Sequence, residues 1–146
     1  MIQIKRRMDM IINALKADSR FEGVRFIREF TAGFTETPIR GFLASVCVTS
    51  TELSEGYLGG LALSGARGDL YTADAEIRIY APAGQNGSGL SEIAGDMLKV
   101  IRESDSDNIV TELKAGSIEF DPNLSAVFRR VSLRLEFVVN GEENND

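Results

Sequence analysis

The sequence predicts an α+β domain: a mostly antiparallel sheet, two amphipathic helices packed on one of its faces, and a long hairpin loop. Three observations lead there. Two stretches repeat apolar residues at three- and four-residue spacing, several others alternate apolar with polar residues, and no strand–helix–strand alternation is sustained. The elements run helix, strand, two long strands around an extended loop, helix, and three strands, with no internal repeat. One domain is expected over residues 1–140, followed by an acidic frayed tail at 141–146.

The first helix covers Met1 to Lys16. Ile4, Met8, Ile11, Ile12 and Leu15 draw one apolar stripe before Asp18 and Ser19 break the pattern. "GVRFIREF" then alternates Val24, Phe26 and Arg28 with Arg25, Ile27 and Glu29, giving a short strand. "TAGFTETP" is a connection punctuated by Gly33 and Pro38. From Ile39 to Thr51 a long strand sets Phe42, Ala44, Val46 and Val48 against Leu43, Ser45, Cys47 and Thr49. Cys47 is there a small strand residue without the electropositive surroundings that make a thiol reactive.

A second long strand runs from Leu70 to Ala81. Tyr71, Ala73, Ala75, Ile77 and Ile79 point one way, and Thr72, Asp74, Glu76 and Arg78 the other. Asp74 and Glu76 have the form of an acid–base pair, but two residues apart beside Arg78 they read as a solvent-facing charged row. After the turn-rich "APAGQNGSG" a second helix spans Gly89 to Glu103, with Ser88 as its N-cap. Leu90, Ile93, Ala94, Met97, Leu98 and Ile101 form its stripe. "ESDSDN" has calcium-loop residue types without the turning glycine or the closing glutamate, so it is a helix-ending turn. Three strands close the chain at Ile109–Lys114, Gly116–Asp121 and Ala126–Val139, the last two joined by a "DPN" turn. Arg129 falls in the apolar register of the final strand, which is the mark of a bulge.

Composition removes several function classes. With 146 residues, 43% hydrophobic and 26% charged, the chain is an ordinary globular length and mixture. There is no histidine, which excludes Ser-His-Asp and Cys-His nucleophiles and most transition-metal sites. Cys47 is the single cysteine, so no internal disulfide forms. No cofactor, metal site or catalytic group is expected, and the chain is not expected to be an enzyme. No apolar run suits a bilayer and no signal peptide opens the sequence, so no membrane contact and a cytoplasmic site of assembly are expected.

The net charge of −6 is uneven: residues 1–30 hold seven Lys/Arg against four Asp/Glu, and residues 31–128 six against fourteen. An acidic body disfavours tight binding to duplex DNA. The basic start Lys5, Arg6 and Arg7 sits at a helix N-terminus, where the macrodipole prefers acids, and a neighbouring acidic surface would compensate for it.

Residues 53–70, "LSEGYLGGLALSGARGDL", hold five glycines and an Arg-Gly-Asp triplet. A phosphate loop needs a lysine beside its closing glycine and a helix after it; this stretch has no lysine and a strand follows. Arg67-Gly68-Asp69 is most simply a turn. Length is the informative property, since two to five residues are enough for a hairpin. Tyr57, Leu58, Leu61, Leu63 and Arg67 on such a loop are candidates for burial against another chain, with Lys5, Arg6 and Arg7 as a second contact patch.

Several stretches together resemble the phage tail terminator and minor tail protein group: "MDMIINALKADSRF", "AGFTETPIRGFLASVCV", "LYTADAEIRIYAP", "GLSEIAGDMLKVI" and "GSIEFDPNLSAVFRRVSLRLEFVV". The similarity extends over most of the chain. It implies a structural protein of a phage or phage-tail-like particle, assembled in the bacterial host cytoplasm. Its partners would be further copies of itself in a ring, typically a hexamer, the tail tube protein and head–tail connector proteins. Such a ring stops tube growth and presents the head-joining surface, with DNA passing through only as cargo. A tail completion, connector or tube-like protein is the alternative, and a small ligand-binding or carboxylate enzyme a more distant one.

Overall fold

The computed structural model of the chain describes residues 2–28, 39–54, 68–82, 84 and 86–140. Helix α1 (Ile2–Ala17) leads through a short 3₁₀ turn (Ser19–Phe21) into strand β1 (Val24–Arg28). Strands β2 (Phe42–Ser54) and β3 (Gly68–Tyr80) follow, then helix α2 (Leu90–Ser104) and strands β4 (Val110–Ala115), β5 (Glu119–Asp121) and β6 (Ala126–Asn140). These strands form one six-stranded mixed sheet in the order β1-β2-β3-β6-β4, with β5 beside β4 along the same margin of β6. All pairings are antiparallel except β1 with β2, which is parallel. The fold class is α+β with a mostly antiparallel sheet.

Side-chain alternation decides what each face of the sheet meets. The odd-numbered residues of β3 and β6 (Ala73, Ala75, Ile77, Ile79, Val131, Leu133, Leu135) are buried in one cluster. The same cluster holds Ile4, Met8, Ile11, Ile12 and Leu15 of α1, and Leu90, Ala94, Met97, Val100 and Ile101 of α2. Each of these large side chains contributes ~1.5–3 kcal/mol by leaving water, so this cluster is the main source of stability. Ile4, Met8, Ile11, Ile12 and Leu15 of the first stripe and Leu90, Ala94, Met97 and Ile101 of the second are buried; Ile93 and Leu98 are half-buried, and Val100, outside the expected stripe, is buried.

Two irregularities were not legible in that periodicity. The β2–β3 register shifts between Val48 and Ser50, leaving Thr49 as an extra residue whose hydroxyl donates to the Asp74 carbonyl at 3.1 Å. Beyond this bulge the faces of β2 exchange: Thr51 and Leu53 pair with Ala73 and Tyr71, so odd residues now share the helix side. A second shift sits at Thr111, between Val110 and Glu112 in β4.

Arg129 does not mark a bulge. The β3–β6 register runs unbroken through Ile79↔Arg129, and the Arg129 guanidinium donates to the Gly116 carbonyl at 2.8 Å, tying down the β4–β5 connection. Nor does Ser88 cap α2. The N-cap is Gly89, at φ 89°, with no side-chain cap bond. Glycine is required there twice over: its φ is left-handed, and an added Cβ would lie 3.1 Å from the Phe42 ring. The "ESDSDN" turn does end α2, with Asp105 as its C-cap. Its carboxylate accepts from the Ile109 and Val110 amides at 2.8 and 2.9 Å and so launches β4.

On the opposite face a smaller apolar cluster gathers at one end: Ile39, Leu43, Tyr80, Leu124, Ala126 and Phe128. Tyr80 and Phe128 sit in the polar register of their strands yet are buried, because the turn before β6 folds Leu124 over them. Their rings lie 5.1 Å apart.

Burial separates two classes of large side chain on the strands. Leu135→Ala, in the fully buried centre, is expected to cost ~2–5 kcal/mol. Phe120→Ala, at 62% exposure, is expected to stay within about 0.5 kcal/mol. Urea unfolding followed by circular dichroism distinguishes the two.

Candidate functional site

The side of the sheet away from the helices is built from the even-numbered residues of β3 and β6. Because β3 and β6 are in direct register, Asp74 faces Arg134 and Arg78 faces Arg130. Arg134 engages Asp74 with two nitrogens, at 2.8 and 3.4 Å, and reaches Glu112 at 3.6 Å. Ser50, placed beside Asp74 by the bulge, donates to the same carboxylate at 3.0 Å. A second group joins Arg78 to Glu76 at 2.9 Å, Glu76 to Arg130 at 3.6 Å, and Arg130 to Glu119 at 3.2 Å. Arg78 and Arg130 both lie over the Phe128 ring, at 5.3 and 5.7 Å from its centre.

These pairings decide the chemistry of the acids. Hydrogen bonding from Arg134, helped by Ser50, holds the Asp74 carboxyl below the usual carboxylate value. An open depression of about 320 Å³ is lined by Thr49, Asp74, Glu76, Glu112, Lys114 and Arg134, among others. A general acid needs a raised pKa, and Asp74 is shifted the other way. The charged row read in the sequence is an ion-paired lattice.

Tyr80 is the titratable group moved most on this side. Burial, reinforced by the Asp121 carboxylate 2.8 Å from its hydroxyl, pushes it up to about 12, against the pull of Arg78. Asp121 is itself buried and also accepts from the Asn123 amide at 2.9 Å, fixing the turn into β6. This is a structural hydrogen bond between β3 and the β5–β6 turn.

A groove of about 380 Å³ runs between α1 and the α2–β4 turn, with Met10, Ile11, Ala14, Ile109, Val110 and Leu135 among its walls. Its charged groups are already engaged: Arg7 pairs with Asp107 at 3.2 Å, and both oxygens of Asp105 hold backbone amides. Among the described residues, no group of three or more His, Cys, Asp and Glu is placed to hold a metal ion. No helix among them is long and apolar enough to cross a membrane.

Of the predicted contact residues, Tyr57, Leu58, Leu61, Leu63 and Arg67 lie outside the described residues. The strands that lead to them are paired to their ends, Ser54 with Leu70 and Gly68 with Asn140. Lys5, Arg6 and Arg7 occupy the first turns of α1 and diverge. Lys5 points to solvent and meets Asp9 one turn along at 3.6 Å; Asp9 also pairs with Arg28 of β1. Arg7 is turned inward over the Phe137 ring, 5.6 Å from its centre. Much of the acid facing this basic start therefore comes from the chain itself.

The sequence reading missed the margin of the sheet at β5. Ile118 is 46% and Phe120 62% exposed there. Their alternation with Ser117, Glu119 and Asp121 is visible in the sequence, but not that, among the described strands, β5 has β6 on one side only. No family model matches the chain, and no curated protein matches it.

The Tyr80–Asp121 bond has a pH signature. A tyrosine raised from 10.0 to about 12 contributes stability that is complete below pH 10 and is lost as the pH climbs through 12. Tyr80→Phe leaves one oxygen of a buried carboxylate without this donor, so it is expected to cost about 1–3 kcal/mol at neutral pH. That deficit should shrink between pH 10 and 12, as followed by urea unfolding at each pH.

Proposed function

We propose that the protein is a structural subunit of a phage tail or tail-like particle. In this reading it forms a ring, most simply a hexamer, at the head-proximal end of the tail tube, stopping tube growth and offering the surface that joins the head. Its two helices pack on one face of the sheet, and the long β2–β3 connection reaches a neighbouring subunit. The reading rests on the resemblance of the sequence over most of its length and on one structural observation. Asp74, Glu76 and Glu119 on the polar face are ion-paired to arginines, whereas the large apolar side chains left exposed among the described residues include Ile118 and Phe120 at the sheet margin, besides Met10, Leu53 and Val138 elsewhere. That division suits a scaffold working through contacts rather than through reactive groups.

A closed ring needs two different contact surfaces on each subunit, so that each copy grips the next by the same rotation. The two outer strands of this sheet differ from each other, as that geometry requires. A net charge of −6 also suits a channel wall that DNA passes without adhering.

Particles assembled without the protein test the reading. Overlong tails in electron micrographs are the expected outcome; tails of normal length that lack heads would instead place the protein at the joining step. Replacing residues 55–67 by a short turn should preserve the unfolding transition and abolish tube capping.

A further inference from the structure

The sheet ends in two margins of opposite character. On one side β1 is the outermost strand, and no described strand pairs with its outer side. It carries Arg25 and Arg28 and no acid. On the other side the margin is shared by β4 and β5. β4 is protected against further pairing in the usual ways, by its bulge at Thr111 and by exposed Glu112 and Lys114. β5 has no bulge and is three residues long; it presents Glu119 and the exposed Phe120, with exposed Ile118 just before it.

The faces of the two margins also correspond. In β1, Val24 and Phe26 are half-buried against the main core on the helix side, whereas Ile27 packs against the smaller cluster on the polar side, with Arg25 in its register. In β5, Phe120 pairs with Val127, a residue of the helix side, and Glu119 pairs with Phe128 on the polar side. Laid edge to edge with faces matched, Val24 and Phe26 meet Ile118 and Phe120, and Arg25 meets Glu119, whose carboxylate it would share with Arg130 of that same copy. Arg25 is exposed and makes no ion pair with the described residues.

We propose that β1 of one copy pairs with β5 of the next, continuing the sheet from subunit to subunit in a head-to-tail contact. The proposal deepens the ring reading, which supplies the expectation that the partner is a second copy. Charge selects this pairing over the two symmetric ones. Joining β1 to β1 sets arginines against arginines, and joining β5 to β5 brings glutamates together, both unfavourable across strands. Unlike edges that meet head to tail close into a ring where the rotation allows.

Cross-linking tests it. On a Cys47→Ala background, Arg25→Cys and Glu119→Cys are placed in one chain and treated with a short bismaleimide. Within one copy the two positions sit four strand spacings apart, roughly 19 Å, too far for a short linker to join. The expected result is a ladder of linked multimers from the double variant, none from either single variant, and loss of the ladder when Phe120→Glu is added. Absence of a ladder, or dimers from one single variant alone, would overturn the proposal. A ladder together with tails of normal length would leave the edge contact standing and remove the terminator role. Overlong tails with no ladder would do the reverse.

Discussion

The thirteen-residue pairing of β3 with β6 runs from Gly68↔Asn140 to Tyr80↔Phe128 without a shift, and both faces of the molecule depend on it. On the helix side it stacks Ala73, Ala75, Ile77 and Ile79 against Leu135, Leu133, Val131 and Arg129. On the polar side the same register brings Asp74 opposite Arg134. A slip of one residue would turn the apolar row of β6 to solvent and part the ion pair at once. The hydrophobic term is the larger, since half-exposed ion pairs contribute little. The buried apolar row therefore sets the register, and the ion pairs form because that register places their partners opposite one another.

That register also sets what the molecule can offer to others. With one face taken up by helices and the other largely by paired charges and the Tyr80–Phe128 cluster, the margins are among the surfaces left open on the described residues. The β2 bulge and the β4 bulge differ in consequence. The first brings Ser50 to the Asp74 carboxylate and completes the lattice. The second interrupts an outer strand and leaves β5 as the accessible part of its edge.

Much of this was legible because it is periodic. The stripes of α1 and α2 and the alternation of β3 and β6 map onto buried and half-buried positions almost residue for residue. What was not legible depends on neighbours distant in sequence. Thr49 is extra only relative to β3, and nothing in β2 itself announces it. Arg129 looked like a bulge because a charge stood in an apolar row; its long side chain instead reaches the Gly116 carbonyl across the sheet. Tyr80 and Phe128 sit in polar registers, and only the turn that folds Leu124 over them makes them core. Gly89 and not Ser88 is the cap; its φ is left-handed, and a Cβ there would press on the ring of Phe42, from a different strand. Exposure of Phe120 likewise follows from strand order, which alternation does not reveal. Of the predicted contact residues, the loop group lies outside the described residues, whereas the basic group proves to be engaged in part with Asp9 and Asp107.

The position of the protein in an assembled particle tests the account most directly. Purified tails should be imaged by electron cryo-microscopy with the chain traced or tagged. The account predicts a single ring of copies at one end of the tube, the end that meets the head. Copies distributed along the tube, or tails that contain none, would contradict it.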